Sequence, residues 1–356
     1  MYLIHIFRDC ELLFGKIKQI SNLEFQRYHT LVVLSVWALV MLSSATDISA
    51  QIRTETLHLM QPDSIPNKPR QWLAFGTSGA VFVSSGIGLY TTWYSQFETS
   101  PFHFFDDSQE WLQMDKYGHV YTAYFQSEMC YKVANWTGMS KNRSILYGAS
   151  CGFVLQAAVE VFDGYSDKWG FSVYDIAANT AGVGLFALQQ MAWDEQRIRV
   201  KMSSQFNRLY DNVNVQNTNG EVITNLSRRA DDLFGDSVAE RFLKDYNAQT
   251  YWLSVNPHSF GAEFMPKWLN IAAGFGAENL YGGFENVWEE DNENISLNVQ
   301  RYRQFYIGPD IDFASFNPKS HWVKTLFTML NIYKLPMPAA EYNREEGWSF
   351  HLMLAR

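Results

Sequence analysis

Cysteine is scarce: there are 3 in 356 residues, Cys10, Cys130 and Cys151, too few for a scaffold held by disulfides. Charge is thin as well, at 18%, and Lys+Arg 28 against Asp+Glu 37 leaves −9, without the clustered cations that a nucleic-acid surface needs. No H-E-x-x-H, phosphate-cradling glycine loop or G-x-S-x-G elbow occurs, so no motif names a reaction or a cofactor. Apolar and aromatic side chains are plentiful. At 47% hydrophobic the chain is folded rather than disordered. Its 12 Trp, 19 Tyr and 26 Phe offer more aromatic area than a soluble core of this size requires, which points toward lipid.

The short apolar run Leu31 to Leu42 follows Arg27 and is followed by small polar residues up to Ala50, the layout of a secretory signal peptide. Residues 1–50 are therefore expected to be a signal peptide or an N-terminal anchor; the run is short for a span of about 20 residues. No cysteine follows it to carry a lipid. Residues 51–70 hold Pro62, Pro66 and Pro69 and read as a linker. The expected location is the cell envelope, with the chain membrane-associated, in the periplasm or outer membrane rather than the inner membrane.

Four apolar segments rich in small residues follow: Trp72 to Tyr94, Val120 to Trp136, Ser144 to Phe162 and Ile176 to Trp193. Their lengths approach a bilayer crossing, yet none is a strong Leu/Ile span. Ala80, Ser84 and Gly88, then Gly148 and Gly152, then Ala178 and Gly182 recur four apart, a spacing that lets helix backbones approach closely. Aromatic residues near segment ends, Trp93, Trp111, Trp136, Trp169 and Trp193 among them, favour a membrane interface over a compact soluble bundle that uses Gly and Ala at its contacts. Residues 71–200 are thus expected to be a small helical bundle of about four helices and membrane type.

Residues 201–248 read as a charged connector, and the basic stretch Arg197, Arg199 and Lys201 before it as a solvated helix end or a contact with anionic headgroups. Over residues 249–356 the period becomes 2. Phe305, Ile307, Ile311 and Phe313 alternate with polar partners, as do Trp348, Phe350, Leu352 and Leu354; Tyr251 to Val255 and Leu269 to Phe275 are weaker strands. Pro309 suggests an edge or bulge. Four to six strands are too few to close a barrel. The fold class is α+β, with a helical bundle followed by an antiparallel, β-rich region.

Three polar pairs stand at helical spacing: Asp115 and His119; Gln156 and Glu160, with Asp163 one turn further; and Asp175 and Asn179. If the helices alternate in direction, all three fall at one end of the bundle, and groups buried there must satisfy one another. Capping accounts for part of the set, since Ser172 with Asp175 forms a capping box, Asp115 can cap, and Asp163-Gly164 can end a helix. His119, Glu160 and Asp175 are the metal-ligand candidates, and the wider cluster is the candidate acid–base site. An antiparallel helical hairpin would bring Cys130 and Cys151 face to face, either bonded or as two buried thiols.

The run from Phe102 to Asp107, the stretch Glu110 to His119, Glu160 to Ser166 and Trp169 to Gly182 together resemble the YfiM-like family of uncharacterised envelope proteins over roughly residues 70–200. The Asp-Lys-x-x-His start and the Ser-x-x-Asp-x-x-x-Asn-x-x-Gly helix are similar, more distantly, to VanZ-like membrane proteins. The resemblance implies an envelope location and a small helical domain, and it supplies no established activity. The long form with a strand-rich C-terminal part is similar to Bacteroidetes-type versions. Two functions follow as expectations: a component that binds membrane lipid or an envelope protein partner, including a second copy of itself, or a membrane-embedded hydrolase or transferase acting on lipid or glycan phosphate through the Asp/His/Glu cluster.

Overall fold

The structure is a computed structural model in which the chain divides into two units, Met1–Leu59 and Met60–Arg356. It describes residues 61–356 apart from 95–96, 206–207, 217–221, 291–292 and 355–356, all within the second unit. The signal-peptide or anchor expectation for residues 1–50 lies outside the described residues.

Four long helices come first: α1 (Lys68–Leu89), α2 (Met114–Trp136), α3 (Lys141–Gly164) and α4 (Val173–Trp193). The bundle is built by α2, α3 and α4, and glycine sets their spacing. A Cβ on Gly152 would stand 2.1 Å from Ser127 Oγ, and one on Gly182 2.3 Å from the Val120 carbonyl oxygen, so these backbones touch. Helix α1 behaves differently. It is tied down at its start, where Arg70 lies 4.8 Å over the Trp136 ring and Phe75 meets Tyr147 at 5.1 Å, but Gly76, Gly79 and Gly86 face open space. Its Ser84 hydroxyl bonds back to the Ala80 carbonyl at 2.7 Å instead of a neighbouring helix. The expected four-helix packing is therefore a three-helix core beside an outlying helix. Trp72, Val81, Val83 and Ile87 of α1 are exposed. Among the described helices, α3 alone is long and apolar enough to cross a membrane by length and composition.

A six-stranded antiparallel sheet follows in the order β1-β4-β5-β8-β9-β10, formed by Ile198–Ser204, Gln249–Val255, Leu269–Glu278, Tyr302–Ile311, Met337–Asn343 and Gly347–Leu354. Hairpins β2–β3 (Asn214–Gln216, Val222–Asn225) and β6–β7 (Val287–Glu290, Glu293–Ser296) and helices α5 (Leu226–Phe234), α6 (Val238–Lys244) and α7 (His321–Leu330) complete it.

The sheet register separates two kinds of face. One row runs Lys201, Trp252, Gly274, Tyr306, Glu341, Ser349 across the strands and is largely polar and buried. Gly274 is required there, since a Cβ would press on the Trp252 ring at 2.7 Å. The opposite row runs Met202, Tyr251, Phe275, Phe305, Tyr342, Trp348. Its first three members pack in one core with Met114 of α2, and its last three are exposed, Trp348 at 72%.

Two readings are corrected here. The basic stretch is neither a solvated helix end nor a headgroup contact: Arg199 and Lys201 lie in strand β1, buried, with Lys201 Nζ 2.7 Å from Asp310 Oδ2 and Arg199 3.1 Å from Glu128 Oε1. A strand rich in cations hides from a period-based reading because its polar side chains point inward. Leu354, expected in phase with Trp348 and Phe350, is buried, because the β9–β10 register shifts between His351 and Leu354. Pro309 sits where β8 has lost its β9 neighbour, whose pairing ends at Ile307, so its missing N–H costs no ladder bond.

Candidate functional site

The polar pairs converge because α2 and α4 present their first turns where α3 presents its last. The approach to α2 is unusual: Trp111, Leu112 and Gln113 all have positive φ, 49°, 52° and 71°, a left-handed run that non-glycine residues rarely adopt and that functional sites tend to retain. It delivers Asp115, Lys116 and His119 to the interior. His119 Nε2 lies 3.7 Å from each of Asp115 Oδ1, Glu160 Oε1 and Asp175 Oδ1, one carboxylate from each helix. The other ring nitrogen, Nδ1, meets Asn179 Oδ1 at 3.1 Å. With that oxygen as acceptor, Nδ1 donates, and Nε2 is the ring nitrogen that faces the carboxylates.

Lys116 forms a second hub. Its Nζ lies 2.6 Å from Asp107 Oδ2, 3.0 Å from Asp115 Oδ2 and 2.6 Å from Asp175 Oδ1. Ser172 caps α4 by accepting from the Asp175 N–H at 3.0 Å, but the reciprocal half of the capping box does not form. The Ser172 N–H points to Glu160 Oε2 at 3.4 Å, and its hydroxyl donates to Asp107 Oδ1 at 2.5 Å. Asp175 is thereby released into the cluster. Asp115 does not cap α2; it accepts from the Tyr246 hydroxyl at 2.8 Å.

Negative charge outweighs positive in this space, and the acidities show it. Burial pushes the Glu160 carboxyl up to about 8, with the Asp163 charge adding to the rise. Burial pushes Asp163 up to about 7 against a hydrogen bond from Tyr94, and it raises Asp175 together with the Asp115 charge. Asp115 moves the other way: burial opposes ionisation, but His119 and Lys116 hold it below the usual carboxylate range. Glu160 Oε1 and Asn179 Nδ2 are buried without a hydrogen-bond partner.

Of the seven residues expected here, Asp115, His119, Glu160, Asp175 and Asn179 come together. Asp163 stands beside them and accepts from the Tyr94 hydroxyl at 2.6 Å. Gln156 turns away, donating to Gln126 Oε1 at 3.0 Å across α2 and α3. Asp107, Lys116 and Tyr246 were not anticipated. Asp107 and Lys116 lie inside the conspicuous Phe102–His119 stretch, whereas Tyr246 arrives from the charged connector with no local signal. Asp115, His119 and Asp175 place ligand atoms within 4.8 Å of one another, close enough to hold a metal, and Glu160 Oε1 lies beside His119 Nε2.

On the flank of α2, Lys116 also reaches a cavity of about 400 Å³ lined by Gln113, Lys116, Tyr117, Val120, Phe275 and Arg303. Tyr117 and Phe275 stack there at 4.3 Å, and the Arg303 guanidinium donates to Gln113 Oε1.

A three-helix core with an acidic, histidine-containing end, joined to an antiparallel sheet, is the class that fold and site define. Residues 103–191 match the model of a family described as a predicted periplasmic lipoprotein (DUF2279), a span inside the stretch that carries the YfiM-like resemblance. The likeness supports an exported cell-envelope protein of an uncharacterised family, periplasmic or membrane-associated. No curated protein matches the chain, and no solved structure does.

Proposed function

We propose that the protein is a membrane-associated envelope component that holds an anionic amphiphile between α2 and the sheet. One observation carries the reading: Arg303, which has no carboxylate partner among the described residues, stands in the cavity wall at the end of an exposed apolar row. Arg303, Phe305 and Ile307 alternate onto one side of β8, and Tyr342 and Trp348 extend that side across β9 and β10. A phosphate headgroup fits the guanidinium, and an acyl chain fits the wall beyond it. A second reading, a hydrolase or transferase acting on lipid or glycan phosphate, draws on Lys116, which touches both the cavity and the carboxylates around His119.

Vesicle co-sedimentation of the full chain tests the binding. Phosphatidylglycerol vesicles retain it more than phosphatidylcholine vesicles do, and Arg303→Gln removes the difference. Equal retention on both lipids, or an unchanged preference in Arg303→Gln, overturns the reading; self-association that buries Trp348 without lipid assigns the wall to a second copy instead.

A further inference from the structure

We propose that Asp115, His119, Glu160 and Asp175 form a binding site for one divalent transition-metal cation, of the Zn²⁺ or Mn²⁺ type. The inference goes beyond the amphiphile-binding reading and does not depend on it.

The ligand atoms are already gathered. Asp115, His119 and Asp175 each offer one within 4.8 Å of the others, and Glu160 Oε1 joins them through His119 Nε2, 3.7 Å away. Ligands about 2.1 Å from a tetrahedral ion lie roughly 3.4 Å apart, so the His119 separations need contract by only a few tenths of an ångström, while the carboxylates draw together around the ion. One imidazole with three carboxylates is a mixed N/O set: the imidazole suits zinc and its neighbours, and the carboxylates suit manganese.

Acidic residues alone would not make a site, because Lys116 and ordinary hydrogen bonds can satisfy them. Glu160 is the observation that goes further. Its side chain is 1% exposed, its Oε2 receives the Ser172 N–H, and its Oε1 has no hydrogen-bond partner while lying 3.7 Å from His119 Nε2. A buried carboxyl oxygen without a partner is costly, and a cation beside His119 removes that cost. The surroundings hold the ligands in the required poses: Asn179 fixes the imidazole tautomer, Tyr246 orients Asp115, and the Ser172 cap orients Asp175. Charge agrees. Asp107, Asp115 and Asp175 close on a single ammonium, Lys116, and Glu160 adds a fourth carboxyl beside His119, so a divalent ion brings the cluster toward balance. The openings are His119 and Asp115, whose side chains keep 14% and 20% exposure.

The test uses the full chain, stripped with a chelator and then titrated separately with ZnCl₂, MnCl₂ and MgCl₂ by calorimetry, with bound metal counted by elemental analysis. One equivalent of Zn²⁺ or Mn²⁺ is expected to bind, raising the melting temperature. Glu160→Gln and His119→Gln, near-isosteric changes, are each expected to weaken binding at least tenfold, with circular dichroism reporting whether the fold persists. Arg303→Gln should bind metal as the unmodified chain does, which separates this site from the amphiphile pocket. Three results overturn the proposal: no stoichiometric uptake of either ion, uptake of Mg²⁺ in preference to both, which would leave the imidazole without a role, or a folded Glu160→Gln variant with undiminished affinity.

Discussion

Asn179 Oδ1 and His119 Nδ1 meet at 3.1 Å between the second turns of α4 and α2, a link between residues 60 apart in the chain. The bond fixes which imidazole nitrogen faces the carboxylates, and Asn179 is wholly buried, so its loss cannot be made good by water. Asn179→Ala is expected to cost about 1–3 kcal/mol in urea denaturation. Asn179→Asp should restore the acceptor while adding a further buried acid, so it should be destabilised more at pH 8 than at pH 5. Equal stability of the Ala variant and the unmodified chain would show that the ring is held by other contacts.

The helix spacing gives a paired prediction from glycine. Gly152→Ala forces a methyl to 2.1 Å from Ser127 Oγ and 2.8 Å from the Ala123 carbonyl oxygen, so α2 and α3 must separate. A loss of about 2–3 kcal/mol is expected, in the range of overpacked cores. Gly86→Ala, in α1, meets nothing within 4 Å and should be neutral or stabilising by up to about 1 kcal/mol through helix propensity. Urea midpoints of both variants check the contrast, and equal effects would place α1 in a packed interface after all.

These two positions also show how far the sequence could be read. Small residues at four-residue spacing mark both α1 and α3, but a period cannot say whether a neighbour is present: Gly148 and Gly152 press on α2, whereas Gly76, Gly79 and Gly86 of α1 face open space. The convergence of His119, Glu160 and Asp175 was legible because helical spacing and alternating direction suffice to place one pole of a bundle. Tyr246 was not, since it reaches Asp115 from 131 positions away. Strand β1 was missed for a related reason. Arg199 and Lys201 look like solvent-facing cations until their partners Glu128 and Asp310, far along the chain, are in place.

Cys130 and Cys151 are unbonded, yet their thiols interact across α2 and α3: the hydrogen bond from Cys130 is the main cause that brings the Cys151 thiol down to about 7, with burial working against it. A partly ionised thiol beside a neutral one is disposed to oxidise. Mild oxidation of the folded chain is expected to cross-link the pair, giving a faster-migrating band on a non-reducing gel that Cys151→Ser abolishes. The bond closes a loop of about 20 residues and should stabilise by about 3 kcal/mol. Failure to cross-link under an oxidant that closes a control dithiol would show that the two helices hold the sulfurs apart.

Acid should attack the junction of bundle and sheet through Glu128. Burial alone would raise this carboxyl, but Lys132 at 2.8 Å and Arg199 at 3.1 Å prevail and hold it at about 2, below its ordinary 4.5. Because the folded-state value is the lower one, the unfolded chain binds the proton more tightly, so the stabilisation is complete above pH 4.5 and disappears as pH falls toward 2. It amounts to about 3 kcal/mol at neutral pH. Glu128→Gln should therefore be less stable than the unmodified chain at pH 7 and approach it near pH 2 to 3, since in acid both carry an uncharged group beside Arg199. Denaturant midpoints across pH 2 to 7 decide the matter: a stability gap that stays constant with pH would mean that shape and hydrogen bonding, rather than the charge of Glu128, join α2 to strand β1.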